Sequence, residues 1–290
     1  MPGMRDIKRR IRSIQSTQKI TKAMKMVAAS KLRRSQVKVV EARPYSSKLQ
    51  EVLGRLVNAS EGYSHPLLEK KDSNKVGYLV ITADRGSCGG YNANILRMVD
   101  ASNSDRKDQC EIIAVGKKSL DYLRRRGYNI IREYVDIGDE PNYIQARELA
   151  KEVAEIYLSG KISELHLVYT KFYSAIKQQP LDEVLLPIAG ADVEQKSEEN
   201  SNTYQAEYIY EPSAAAVLDT LLPRYLETLI YKALLESKAS EQGARMTAMD
   251  AATNNAGEMI QKLTLTFNRA RQAAITREIT EIVSGAAALD

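Results

Sequence analysis

The chain has 290 residues, 43% of them apolar, with two Phe, no Trp and a formal charge of +5. That supplies a core for one large domain or two modest ones, but no apolar run approaches the ~20 residues needed to cross a bilayer, which excludes a membrane-spanning helix. Scarce Phe and Trp beside abundant Ala, Leu, Glu, Lys and Arg favour long helices, and Cys88 and Cys110 are too few for a disulfide framework and fit a cytoplasmic compartment.

Between residues 4 and 62 the only proline is Pro44. Apolar residues recur there at helical spacing: Ile7, Ile11 and Ile14; Ile20, Met24 and Val27; Leu49, Leu53 and Leu56. Steps of four and three predict the seam of a coiled coil, with Gln18 and residues 31–38 as interruptions. The opening stretch has no apolar block or cleavage site of a signal peptide, and a heptad pattern that begins at Ile7 leaves no expected presequence. Residues 1–48 hold fourteen Lys and Arg against Asp6 and Glu41. That local balance of +12 leaves −7 for the remainder of a +5 chain. So concentrated a positive face repels itself and predicts an anionic partner, the alternative being an ordinary solvated helix face.

From residue 75 to about 212 the pattern changes. VGYLVIT (76–82) is a continuous apolar run and predicts a buried strand, followed by the turn ADRGSCGG and a helix over 91–101. EIIAV (111–115) and NIIREYV (129–135) predict the next strands, with a helix carrying Leu120 and Leu123 between them. A helix over 143–158 leads to ELHLVYTKF (164–172). Strands alternating with helices imply parallel pairing with helices on both faces. Residues 183–188 and 204–210 read as two closing strands joined by a polar loop.

The turn over 84–90 sits where a phosphate cradle would, after a strand and before a helix. It lacks the Lys-Ser/Thr ending of a P-loop and the spacing of a dinucleotide fingerprint, so it reads as a tight strand-to-helix connection. Cys88 has no histidine nearby to make it a nucleophile, and His65 and His166 are isolated. No catalytic residue, cofactor or metal is expected. Nucleic acid is a poor fit to the basic face, which lacks interleaved aromatics and a groove-reading module.

Residues 213–285 contain one proline, Pro223. Leu218, Leu222, Tyr225 and Leu229 continue the helical steps, as do Ala256, Ile260, Leu263, Phe267, Ala270 and Ala274. Nearly half of residues 237–257 are Gly, Ala or Ser, which permits close approach of a second backbone. At 1.5 Å per residue this helix reaches roughly 110 Å and the first roughly 85 Å. Neither fits inside an α/β domain of ~140 residues, about 40 Å across. An amphipathic helix leaves its stripe in water unless something covers it, so the terminal segments are expected to cover one another. The predicted fold is α/β with long helices: an antiparallel two-helix coiled coil of residues 1–62 and 213–287, with a Rossmann-like α/β domain inserted at 75–211.

Several strings carry a resemblance. MRDIKRRIRSIQSTQKITKAMKMVAASKLRRSQ (4–36), ITADRGSCGGYN (81–92), YEPS with LDTLLPRY (210–225), and SEQGARMTAMDAATNNA with NRARQAAITREITEIVSGA (240–286) closely resemble the gamma subunit family of bacterial-type F-type ATP synthases. They stand in that family's order and spacing, and no cysteine-bearing insertion of the chloroplast type interrupts them.

The resemblance implies a non-catalytic central rotor shaft without a cofactor. It would turn inside a hexamer of alpha and beta subunits, one copy per complex, bound to an epsilon subunit and standing on the membrane c-ring, its only link to the membrane. The expected place is the cytoplasmic face of the bacterial cell membrane. Lys8, Arg9, Met24, Lys25, Arg33, Arg34 and Arg245 match positions that face the beta subunits or are tied to coupling. Arg271, Gln272 and Thr276 match an upper catch, and the small residues of 283–289 a low-friction collar. Glu207, Tyr208 and Glu211 match the foot that meets the c-ring. The competing classes are an enzyme on the α/β insert, which shows no convergent catalytic set, and a basic coiled-coil scaffold or nucleic-acid adaptor, which leaves the string matches unexplained.

Overall fold

The computed structural model describes residues 4–59, 65–188, 210, 211 and 213–287. They form α1 (Met4–Ala59), β1 (Val76–Ile81), α2 (Tyr91–Asn103), β2 (Cys110–Val115), α3 (Lys117–Arg125), β3 (Asn129–Tyr134), α4 (Tyr143–Leu158), β4 (Glu164–Phe172), β5 (Gln178–Leu186) and α5 (Ala214–Ala287). The predicted closing strand over 204–210 lies outside the described residues except for Tyr210. The chain divides into two compact units: one gathers the residues through Ala28 with those from Met246 onward, and the other is Ala29–Arg245.

Within the second unit the sheet order is β3-β2-β1-β4-β5. Strands β1 to β4 pair in parallel and β5 runs antiparallel to β4. Because side chains alternate along a strand, each strand feeds two cores. Leu79, Ile81, Ile113, Val115, Leu165 and Leu167 point to one face, where α4 supplies Leu149, Val153 and Tyr157, α1 supplies Leu49, Leu53 and Leu56, and α5 supplies Leu218, Leu222 and Leu226. Tyr78, Val80, Ile112, Ala114 and Val168 point to the other, against Ile95, Leu96 and Val99 of α2 and Leu120 and Leu123 of α3. Each such buried side chain contributes roughly 1.5–3 kcal/mol, which is why these strands read as unbroken apolar runs.

The termini of the helices are written locally. Asn142 accepts from the Gln145 amide at 2.9 Å while Gln145 returns its side-chain oxygen to the Asn142 amide at 3.0 Å, a capping box that starts α4. Ser213 Oγ accepts from the Ala216 amide at 3.2 Å and starts α5. Pro44 and Pro223 sit on exposed sides, and α1 and α5 continue through them.

In the first unit, the early part of α1 packs against the late part of α5. Gln18 donates to the Thr253 carbonyl, Thr21 meets Thr253, and Lys25 meets Asp250. Numbers that rise along α1 fall along α5, so the pairing is antiparallel, as the sequence predicts. The seam itself corrects the sequence reading. It runs Ile7, Ile11, Ile14, Gln18, Thr21, Lys25, Ala28 without a break in its four-three steps, each residue buried or half-buried. Ile20 and Val27, expected on the seam, are 57% and 55% exposed. Polar and small residues take the middle of the seam, and the neighbouring apolar residues face outward. On α5, Ala256 is buried and Ile260, Leu263, Phe267, Ala270 and Ala274 are half-buried, as expected.

Candidate functional site

Two features of the first unit stand out chemically. Its outward faces carry apolar side chains that no described residue covers: Ile20, Met26 and Val27 on α1, and Met259 and Leu265 on α5. The antiparallel register also brings the start of α1 level with about Ala270. Beyond that level, residues 271–284 are exposed except for half-buried Ala274. Ile275, Ile279, Ile282 and Val283 stand 49–71% exposed on this single helical segment. Apolar surface of this extent marks an interaction site.

The middle of the seam is polar. Lys25 Nζ lies 2.6 Å from Asp250 Oδ1, both side chains remaining nearly half exposed. Thr21 Oγ1 donates to the Gln18 carbonyl and Thr253 Oγ1 to the Met249 carbonyl, and the two hydroxyl oxygens are 2.8 Å apart. Two hydroxyls own two protons, so these three contacts are never all hydrogen bonds at once.

In the second unit the basic stripe of α1 meets acids of its own chain. Lys31 donates to Asp139 at 2.6 Å, Arg34 to Glu140 at 3.4 Å and Lys38 to Glu140 at 2.8 Å. These cations hold both carboxyls below the usual carboxylate range, chiefly through the Lys31 bond to Asp139 and the Lys38 bond to Glu140. The contacts continue from Asp139 to Lys238 (3.6 Å), from Lys238 to Glu241 (3.0 Å) and from Glu241 to Arg245 (2.5 Å). Arg245 also donates to the Gly86 carbonyl at 3.2 Å, in the turn after β1. The network ties α1, the β3–α4 connection, α5 and that turn together. The sequence signal for it was present, basic residues at 31, 34 and 38 and the acidic pair Asp139–Glu140, but nothing local joins two segments 102 residues apart.

The turn itself is a connector. Asp84 Oδ1 accepts from the Lys117 and Asp136 amides, and Asn92 Oδ1 accepts from the Ala83 amide. Cys88 is buried, receives a hydrogen bond from Asn92 Nδ2 at 3.1 Å, and burial pushes its thiol pKa up, away from nucleophilic use. Burial raises the Cys110 thiol likewise. His166 Nδ1 lies 2.7 Å from Asp182, which raises the imidazole pKa, and His65 lies 3.7 Å from Asp219. Among the described residues no cluster of His, Cys, Asp and Glu could hold a metal ion, and no helix is long and apolar enough to cross a membrane.

The other singled-out residues are placed as follows. Lys8 and Arg9 are exposed, Arg9 pairing with Asp6 at 3.0 Å. Met24 is half-buried beside the seam, and Arg33 is exposed. Arg245 is largely buried, its side chain 12% exposed. Arg271, Gln272 and Thr276 are exposed on the single helical segment of α5. Glu211 is exposed, whereas Glu207 and Tyr208 lie outside the described residues, as do residues 288 and 289 of the expected collar. The sequence reading missed Gln18, Thr21, Asp250 and Thr253 as seam residues; following the four-three steps through polar positions would have found them.

The ATP synthase family model matches residues 3–289. The ATP synthase gamma chain of Heliobacterium modesticaldum is 58% identical over 290 residues, covering all of both chains. The chain belongs to the ATP synthase gamma chain family. The gamma chain of Moorella thermoacetica is 56% identical over 289 residues, again with full coverage of both. Among solved structures, a chain of the Tetrahymena thermophila mitochondrial ATP synthase central stalk and c-ring is similar at a TM-score of 0.61 and 26% identity, covering 80% of this chain and 99% of that one. A chain of the Euglena gracilis mitochondrial ATP synthase is similar at a TM-score of 0.70 and 22% identity, covering 99% and 94%, a likeness of fold. The gamma chain family resemblance therefore extends over both long helices and the sheet.

Proposed function

We propose that this chain is the central rotor shaft of an F-type ATP synthase, a non-catalytic subunit that transmits torque between a proton-driven c-ring and catalytic beta subunits. The observation that carries the reading is the antiparallel pair of the first unit. It shows apolar residues on its outward faces and continues as one helix, unaccompanied among the described residues, bearing Ile275, Ile279, Ile282 and Val283. A helix pair that covers its own seam and still exposes an apolar exterior needs an enclosing partner. In a gamma chain family member that partner is the cavity of the alpha and beta hexamer. The epsilon subunit and c-ring complete the assembly, one copy of the chain serves each complex, and the complex lies on the cytoplasmic face of the bacterial membrane. The functional divisions follow residues 1–62, 75–211 and 213–287.

Lys8, Arg9, Met24, Lys25 and Arg33 serve as contacts to the beta subunits, individually modest so that no single angle becomes a trap. Arg34 and Arg245 act through the network that fixes them to Glu140 and Glu241. Arg271, Gln272 and Thr276 form the upper catch, and Glu207, Tyr208 and Glu211 the c-ring foot. A nucleic-acid role is disfavoured because Lys31, Arg34 and Lys38 are engaged by acids of the same chain.

Purification with matching alpha and beta subunits tests the proposal. One copy per hexamer and ATPase activity dependent on its presence are expected. Three copies per hexamer, or hydrolysis by the chain alone, would contradict it. Replacing Gln272 and Thr276 together is expected to lower ATPase more than recovery of the complex; equal loss would make them merely structural.

A further inference from the structure

His166 is placed by an irregularity in the sheet. Between β4 and β5 the register slips after Leu165: Leu165 faces Leu186, but His166 faces Val184. A slip of one residue exchanges the two faces of a strand. It puts Asp182 on the face of His166, diagonally across the pair, and leaves Glu183 to Tyr169 on the other face. Glu164 lies two residues before His166 on the same strand and shares its face.

Both ring nitrogens consequently look at carboxylates. Nδ1 is 2.7 Å from Asp182 Oδ1, and Nε2 is 3.8 Å from Glu164 Oε2. The ring stacks on Tyr78 of β1 at 5.0 Å, and the Tyr78 hydroxyl donates to Asn103 of α2 at 2.9 Å. A carboxylate only accepts, and a neutral imidazole has a single N–H. In either tautomer, therefore, one nitrogen turns a lone pair toward a carboxylate. The imidazolium has two N–H groups and suits both neighbours. The Asp182 bond outweighs burial and lifts the imidazole above its ordinary 6.5, whereas burial lowers His65 despite Asp219.

The neighbouring charges form a row. Lys70, in the connection between α1 and β1, pairs with Glu164. With His166 protonated the signs alternate from Lys70 through Glu164 and His166 to Asp182. On α2, Asp100 turns instead to Tyr122, Tyr128 and Arg126 on the α3 side, and Arg106, just after α2, acts on Tyr78. The row thus joins the α1–β1 connection, β4 and the edge strand β5. The same connection accepts the Ile188 amide at its Leu67 carbonyl at 2.9 Å, directly after β5. Loss of the proton takes away the only positive charge beside Asp182 in this row.

We infer that His166 is a pH-sensitive latch: protonated, it ties the edge strand β5 to β4 and to the connection before β1, and it releases β5 as the proton leaves. The latch lies wholly in the second unit and does not depend on the shaft reading. By linkage, an imidazole raised on folding contributes fully below pH 6.5 and loses that contribution as pH rises through its folded value.

Two measurements on the full chain test it. The chain has two histidines, so ring resonances are titrated by NMR, with His166 assigned as the signal retained in His65→Gln. His166 is expected to titrate above 6.5 and His65 below it. Hydrogen exchange of the β5 amides is then followed from about pH 6 to about pH 9, relative to β2 so that intrinsic effects of pH cancel. Protection of β5 is expected to fall about two- to fivefold through the His166 titration, the worth of one part-exposed ion pair. It is expected to stay flat in His166→Gln, which keeps a donor toward Asp182 without a titrating charge. If that variant does not fold, Asp182→Asn carries the comparison, with a lower His166 midpoint and a flat profile expected. A flat profile in the parent, an equal fall in the variant, or a His166 midpoint at or below 6.5 would overturn the inference.

Discussion

Thr21 Oγ1 and Thr253 Oγ1 stand 2.8 Å apart across the two helices of the first unit, although 232 residues separate them in the chain. The contact fixes the register at a level where the seam has no large apolar residue. Each hydroxyl also has a carbonyl of its own helix to donate to, so the pair shares protons among more acceptors than it can serve. Removing one hydroxyl leaves its partner with the backbone bond but no neighbour; removing both leaves two methyl groups of similar shape.

Thr21→Val alone is therefore expected to cost about 1 kcal/mol, and the Thr21→Val, Thr253→Val double variant less than the sum of the two singles. A double-mutant cycle on thermal unfolding, followed by helical circular dichroism, measures the coupling. Strict additivity would mean that the 2.8 Å approach contributes nothing.

Gly116 sits at φ +92°, and a Cβ there would stand 2.3 Å from the Thr82 carbonyl oxygen, rigid backbone that cannot yield. Gly127 has a similar φ of +81° but open space around it. Gly127→Ala is expected to cost about 1–2 kcal/mol from left-handed backbone strain alone. Gly116→Ala is expected to cost distinctly more, up to failure to fold. Comparing soluble yield and melting temperature of the two variants separates collision from strain.

Glu236 is 1% exposed, and its Oε2 has no hydrogen-bond partner among the described residues. Burial pushes its pKa above the ordinary 4.5, opposed by Lys232, Lys171 and Arg43. A carboxyl raised on folding contributes stability that is full below the unfolded pKa and is lost as pH rises through the folded value. Glu236→Gln is expected to remove that loss: the variant melts higher than the parent at pH 7–8, and the difference closes toward pH 4.5. Melting curves across this range decide it, and a variant that is less stable at neutral pH would show that the ionised carboxylate is well compensated.

Met24 flanks the seam one residue before Lys25, which is bound to Asp250. Met24→Lys would add a cation on the outward side of that pair and deepen one angular position against an acidic partner surface. The expected outcome is reduced proton pumping per ATP in reconstituted vesicles with hydrolysis retained. Unchanged pumping per ATP would remove Met24 from the coupling surface.

Much of this architecture is readable from the residues, and its gaps have physical causes. The sheet strands announce themselves because both faces are covered, so Leu79, Val80 and Ile81 are all apolar. Ile7, Ile11 and Ile14 mark the seam because only that one stripe of the helix is covered. The seam through Gln18, Thr21 and Lys25 escapes a search for apolar steps because close helix approach at that level selects polar contacts instead. The nearby Ile20 and Val27 then mimic a seam while facing outward, and a partner-facing apolar residue looks like a core residue until the partner is considered. Arg245 illustrates the opposite difficulty: Glu241, four residues before it on the same helix, is legible from the spacing, but nothing in its neighbourhood signals that the Gly86 carbonyl, 159 residues away, also holds it inside the second unit.

The central claim is that the paired helices turn as one body inside the complex. Thr21→Cys with Thr253→Cys supplies the most direct test, since side chains already in contact are placed to form a disulfide. A probe fixed to the second unit of the surface-held, oxidised complex is expected to rotate in one direction with ATP, at the speed seen after reduction. Rotation that stops on oxidation and returns on reduction would show that the two helices must move against each other, and would contradict the shaft.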